Sequence, residues 1–159
     1  MTKTFAVLLL AGFAIAAAPP KPGLSPTERT AVFKAAGAVQ RGGKWLICAE
    51  QPNPGGATID TVRDLNGDGR PEVVISEGGS FCYGAAETGF ALLSKQANGG
   101  WKLIDQGPGI PNFLAIRSGG WPDMEIGGPG FCFPVQRWNG KGYAFHRNQY
   151  EGKPCRPNR

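Results

Sequence analysis

From Lys44 onward, apolar residues come in short runs or at every second position, the period of β-strands. Trp45, Leu46 and Ile47 lead into Cys48, Ala57 to Arg63 alternates around Thr58, Ile59, Thr61 and Val62, and Glu72 to Ser76 carries the β-branched run Val73-Val74-Ile75. Strands are also expected at Gly89 to Ser94, Trp101 to Asp105, Phe113 to Ile116, Met124 to Ile126, Val135 to Trp138 and Gly142 to His146. Asn98-Gly99 and Asn139-Gly140 fall between such runs, where a tight turn needs residues that tolerate positive φ. Ahead of the strands the period is 3.6: Ala31, Val32, Ala35, Ala36 and Val39 share one side of a helix. Ser25 can cap that helix, Pro26 suits its first position, Glu28 completes a capping box and Gly42-Gly43 stops it. The expected fold class is α+β, mainly antiparallel β with one N-terminal helix packed on a sheet.

A further pattern has a period of about fifty residues. Gly69-Arg70-Pro71-Glu72-Val73-Val74-Ile75 through Phe81-Cys82-Tyr83 is echoed by Gly120-Trp121-Pro122-Asp123-Met124-Glu125-Ile126 through Phe131-Cys132-Phe133. Each is followed by a similar strand, Gly89 to Leu93 and Gly142 to His146. Two units cannot close a propeller, so the echo implies a compact two-unit β-repeat.

The N-terminus departs from both periods. Phe5 to Ala18 runs without a charge, preceded only by Lys3, and ends at Pro19, Pro20 and Pro22. That run is short for a bilayer and is broken by proline, which makes it a cleavable signal rather than an anchor. Ala14-Ile15-Ala16 sets cleavage after Ala16, with Ala18 as a second small-residue site. The expected organisation is therefore a signal peptide over 1–16, a linker over 17–24 and one disulfide-containing β-rich domain over 25–159. No later segment is apolar for long enough to insert stably across a membrane. The address is periplasmic or secreted. With 25 glycines and 14 prolines, the chain favours many turns over long helices.

Four cysteines in an exported chain imply disulfides, and Cys48, Cys82, Cys132 and Cys155 are spaced too widely for a zinc site. Three pairings exist; Cys48 with Cys82 and Cys132 with Cys155 is favoured because the last pair tethers the Pro-rich tail.

The sharpest local chemistry is Asp64-Leu65-Asn66-Gly67-Asp68-Gly69-Arg70-Pro71-Glu72. Side-chain oxygens at the first, third, fifth and ninth positions, a turn glycine at the sixth and the Arg70 carbonyl suit a hard cation wrapped by a tight loop. Ile75 stands where an EF-hand has its bidentate glutamate, and strands flank the loop, so an EF-hand is excluded. These residues resemble the calcium loops of FG-GAP and related exported β-repeat proteins. The resemblance implies Asp64, Asn66, Asp68 and Glu72 as side-chain ligands, with Glu72 where the family usually has aspartate, and a structural calcium ion. Its partner at 115–126 keeps Asp123 but has Ala115, Arg117 and Gly119 in the other ligand places. The whole chain also looks like small uncharacterised exported bacterial proteins, a resemblance that implies no function.

No catalytic residue is assigned. Glu77 and Glu87 flank the Cys82-Tyr83 turn as a carboxylate pair, His146 stands alone on a short strand, and no G-x-S-x-G elbow is present. Phe81, Tyr83, Phe131 and Phe133 are expected to be exposed beside the cystines as a binding surface. The formal charge of +5, lowered to +4 by loss of Lys3, collects late in Arg137, Lys141, Arg147, Lys153, Arg156 and Arg159, against Glu151 alone after Val135. Such a surface favours a protein or an anionic cell-envelope polymer, and export excludes nucleic acid. The expected function is a noncatalytic binding or structural module. The alternative is a small hydrolase of carbohydrate or peptidoglycan.

Overall fold

The computed structural model describes residues 23–52 and 54–157. The expected signal segment and most of the linker lie outside them. Helix α1 spans Pro26–Ala35 and starts as its sequence requires: Ser25 Oγ accepts the Glu28 N–H at 3.2 Å, and the Glu28 carboxylate accepts the Ser25 N–H at 3.3 Å. It ends sooner than the apolar stripe suggested. Gly37 adopts φ +75°, which turns the chain after Ala36, so Val39 opens a strand and is exposed. The helix buries Val32 and Phe33, and Phe33 was not on the expected stripe.

Strands β1 (Val39–Arg41) and β2 (Lys44–Leu46) form a small hairpin. A four-stranded antiparallel sheet follows in the order β3 (Thr58–Arg63), β4 (Glu72–Gly78), β5 (Thr88–Lys95), β6 (Trp101–Pro108). The short helix α2 (Ser80–Tyr83) and one 3-10 turn at Gly84–Ala86 join β4 to β5. Gly109 then carries the chain into the second sheet. Its φ is +110°, and a Cβ there would lie 2.7 Å from the Gly127 carbonyl oxygen, so only glycine fits this crossing. The second sheet comprises β7 (Ile110–Ser118), β8 (Trp121–Gly127), β9 (Phe133–Trp138), β10 (Tyr143–Tyr150) and β11 (Lys153–Pro154), paired in sequence order. Both sheets are antiparallel meanders. The fold is the expected α+β class dominated by antiparallel strands.

Side-chain alternation explains the layering. Val73 and Ile75 of β4 and Ala91 and Leu93 of β5 meet Val32, Phe33 and Ala36 of the helix. The intervening Val74, Phe90 and Leu92 point the other way and meet Leu65, Trp121 and Met124 at the second sheet. The order is helix, four-stranded sheet, five-stranded sheet. Trp121, Trp138 and Tyr143 close the inter-sheet core as an aromatic cluster, with Trp121 and Trp138 stacked at 4.8 Å.

The disulfides are Cys48–Cys82 and Cys132–Cys155. The first ties α2 to the segment after β2, and the second ties the tail to the β8–β9 turn. The fifty-residue echo lies at matching places, since Cys82 and Cys132 each sit in the link between the second and third strands of their sheets. Its last part is shifted. The third strand of the second sheet is β9 and not Gly142 to His146, which belongs to the fourth strand, β10.

Leu92 is fully buried between the sheets, and Ile116 is 54% exposed on β7. Leu92→Ala is expected to cost about 2–5 kcal/mol in urea unfolding, while Ile116→Ala stays within about 0.5 kcal/mol.

Candidate functional site

The loop between β3 and β4 is a series of side-chain-capped turns. Asp64 accepts the Gly67 N–H at 2.7 Å and the Gly69 N–H at 2.8 Å through separate oxygens. Asn66 Oδ1 accepts the Asp68 N–H at 2.9 Å, and Asp68 Oδ1 accepts the Arg70 N–H at 2.8 Å. Gly67 and Gly69 both take φ +80°, the left-handed conformation this winding needs. The Gly69 N–H, first of several backbone donors, holds the Asp64 carboxyl below the usual carboxylate range.

Glu72 plays a different part. It is fully buried at the start of β4 and accepts the Leu65 N–H at 2.7 Å, the Asn66 N–H at 3.3 Å and the Ser94 hydroxyl at 2.8 Å. Burial pushes its carboxyl up, and the Leu65 N–H and Ser94 hydroxyl pull against that shift. Glu72 therefore ties the loop to β5. On the outer side Arg117 donates to the Leu65 and Gly120 carbonyls, each at 2.7 Å, which docks the loop on the β7–β8 turn. Arg117 occupies one of the degenerate ligand places of the echo, and it carries a positive charge where a ligand oxygen would be.

For a hard cation the donor chemistry of this loop is suitable, since each carboxylate or amide oxygen that accepts one N–H keeps a further lone pair. The acidic side chains are not gathered round a common centre. Among the described residues no group of three or more His, Cys, Asp or Glu side chains is placed to hold a metal ion. Asp68 Oδ2 instead pairs with the Arg70 guanidinium at 2.6 Å.

The remaining carboxylates named from the sequence do not form a pair. Glu77 is buried on the helix-facing side of β4, where its Oε2 accepts the Cys48 N–H at 2.8 Å and the Tyr83 hydroxyl at 2.7 Å. Glu87 is exposed at φ +54°, and its carbonyl accepts the Gly79 N–H at 2.8 Å to close the turn. His146 is exposed on β10 of the other sheet, at a break in register between Phe145 and Arg147.

The aromatic quartet divides. Phe81 and Phe131 are exposed, at 66% and 69%. Tyr83 is half-buried because its hydroxyl serves Glu77, and Phe133 is half-buried beside Tyr150, so neither is an exposed contact residue. Tyr150 is exposed beside Phe131, with ring centroids 6.1 Å apart, a contact that the pairing of β9 with β10 creates.

The late basic surface is partly paired. Asp123, with no side-chain exposure, binds Arg137 through two bonds of 2.9 and 2.8 Å and Arg147 at 3.0 Å. Arg147 and Glu125 both bind Gln149, which extends this polar ladder across the outer face of the second sheet. Two of the six late cations thus share one aspartate far from them in the chain, which offsets one of their two charges. Among the described residues the cations without ion pairs include Lys141, Lys153 and Arg156 of the late set, and also Arg29, Arg41 and Lys44 on α1 and the β1–β2 hairpin. No family model, no curated protein and no solved structure matches this chain, so these roles rest on its own residues.

Two outcomes follow. Asp64→Ala is expected to lose about 1–2 kcal/mol of unfolding free energy even in chelator, because two backbone donors lose their acceptor. The Arg137 guanidinium, followed by that of Arg147, holds the Asp123 carboxyl below the usual range. A depressed folded value gives stability that is full above the ordinary aspartate range and is lost as pH falls through the depressed value. Urea unfolding from pH 7 down to about 2 should show that loss in the wild type; Asp123→Asn should be weaker by about 2 kcal/mol at pH 7 and lack this part of the acid limb.

Proposed function

We propose that this chain is a noncatalytic module that works in the periplasm or after secretion and binds an anionic cell-envelope polymer. The observation that carries the reading is the unneutralised basic surface on the N-terminal helix and hairpin, where Arg29, Arg41 and Lys44 lack carboxylate partners among the described residues. The export reading itself rests on Phe5 to Ala18 and on the four paired cysteines. Among the described residues no helix is long and apolar enough to cross a membrane. Glu77 is buried and Glu87 exposed at one end of the four-stranded sheet, while His146 lies on the other sheet, which favours binding over hydrolysis.

A structural calcium ion belongs to the same proposal, with Asp64, Asn66, Asp68, the Arg70 carbonyl and Glu72 as its ligands. Binding would require Asp68 to leave Arg70 and Glu72 to give up bonds to the loop, since these side chains do not surround a common centre without the ion. It would add stability to the extent that the folded loop binds it better than the unfolded chain. Calorimetric titration of the mature, metal-stripped protein tests this. A saturable heat with a rise in Tm is expected; no heat and an unchanged Tm at millimolar calcium would remove the ion from the proposal.

For the binding reading, the mature protein is incubated with dye-labelled envelope polymer bearing carboxylate or phosphate groups. Salt-sensitive co-sedimentation without release of soluble dye is expected. Release of fragments that Glu77→Gln or His146→Ala abolishes would establish the hydrolase alternative instead.

A further inference from the structure

Between the first turns of α1 and the segment joining β2 to β3 lies an open cleft of ≈ 500 Å³. Its floor is a stacked pair, Phe33 and Trp45, with ring centroids 5.3 Å apart and planes 7° from parallel. Phe33 is buried beneath, so the half-exposed Trp45 supplies the aromatic surface. Arg29 and Lys44 stand on its walls, and no carboxylate lines it. Lys44 Nζ donates to the Pro54 carbonyl at 3.1 Å, which fixes the ammonium and leaves two of its three donors over. Arg29 has no carboxylate partner among the described residues. Lys44 also lines an adjoining cleft with Arg41, whose guanidinium is held by the Gln51 carbonyl at 2.7 Å, so the positive charge continues beyond the first cleft.

The lining narrows the ligand. Thr30 donates to the Pro26 carbonyl at 3.1 Å, and Thr58 donates to Asp60 at 2.9 Å. Thr30 thus keeps only acceptor capacity toward the cleft, whereas the Thr58 hydroxyl also meets Ser76 Oγ at 3.3 Å on the sheet face away from the helix and takes no part in binding. An inorganic anion has no apolar face to lay on the Trp45 ring. A sugar has one, a C–H face that lies well on an indole, while acidic substituents meet Arg29 and Lys44.

We infer that this cleft binds an acidic oligosaccharide segment, with Trp45 carrying a sugar face and Arg29 and Lys44 neutralising its carboxylates. The inference rests on the binding-module reading and gives that module its ligand class and its contact residues. Charge complementarity makes the affinity fall with added salt.

Calorimetry of the mature protein with a short oligogalacturonate, a neutral glucan oligosaccharide of equal length and inorganic phosphate tests it. Binding of the oligogalacturonate alone is expected, weakened by roughly tenfold or more in Arg29→Glu/Lys44→Glu and kept in Lys153→Glu/Arg156→Glu. All four positions are exposed, and equal Tm values verify the fold; if the double reversal lowers Tm, Arg29→Gln alone should still weaken binding several-fold. Undiminished binding in the cleft variants would overturn the inference and leave the binding-module reading standing. Equal affinity for the neutral glucan, or full competition by equimolar phosphate, would overturn the acidic-sugar assignment. No binding of the acidic oligosaccharide by the wild type, together with no co-sedimentation with envelope polymer, would overturn both.

Discussion

Strands β4 and β5 bury apolar side chains on both faces, and a sheet so built must be covered twice. Val73, Ile75, Ala91 and Leu93 need one partner layer, and Val74, Phe90 and Leu92 need another. Helix α1 meets the first need and the second meander meets the other. This is why a chain whose pattern is mostly strand retains one helix at its start, and why Gly109 must swing β7 away from β6 instead of pairing with it. The layers follow from hydrophobic burial, at about 25 cal/mol for each Å² of apolar surface removed from water.

The same constraint then passes to the outer face of the second sheet, which has no third layer. Glu72 of β4 lies opposite Ser94 of β5, and Asp123 of β8 bonds Arg137 of β9 in the corresponding place. Val74 faces Leu92 in the first sheet, and Glu125 faces Val135 in the second. The inner sheet thus presents aliphatic pairs where the outer one presents Glu125, Gln149, Arg147 and Asp123 in a hydrogen-bonded ladder. A polar outer face ends the stack without inviting another sheet, as terminal units of stacked β-repeats must. The two buried carboxylates shift oppositely for a clear reason. Glu72 has only neutral donors to offset burial, whereas Asp123 has two guanidinium groups.

Much of this was legible along the chain. Ser25, Pro26 and Glu28 marked the helix start, the Asn98-Gly99 and Asn139-Gly140 pairs marked two hairpins, and the Pro-rich tail pointed to the Cys132–Cys155 bridge. The loop from Asp64 to Glu72 was visible as an oxygen-rich turn. Its internal bonds span two to seven residues, within reach of local reasoning. The helix end and the place of Phe33 were not, because a single left-handed Gly37 redirected Val39 into a strand, and Phe33 is buried by the sheet and by Trp45 of the hairpin. Nor was the partial burial of Tyr83, whose ring lies over Gly89 of β5 where a Cβ would leave no room.

What the sequence by itself determined are the features built from neighbours: the capped helix, the turns, the strand centres and the chemistry of the loop. These depend on φ preferences, side-chain period and hydrogen bonds over a few residues. Tertiary structure alone decided where the charge resides. Asp123 reaches Arg137 across 14 residues and Arg147 across 24, through the registers of β8, β9 and β10, and so offsets one of the late positive charges. Arg29 and Lys44 come to one cleft only because the helix and the hairpin pack on the same face of the sheet. Coulomb forces act through space while the pattern runs along the chain, and the register of the strands converts one into the other.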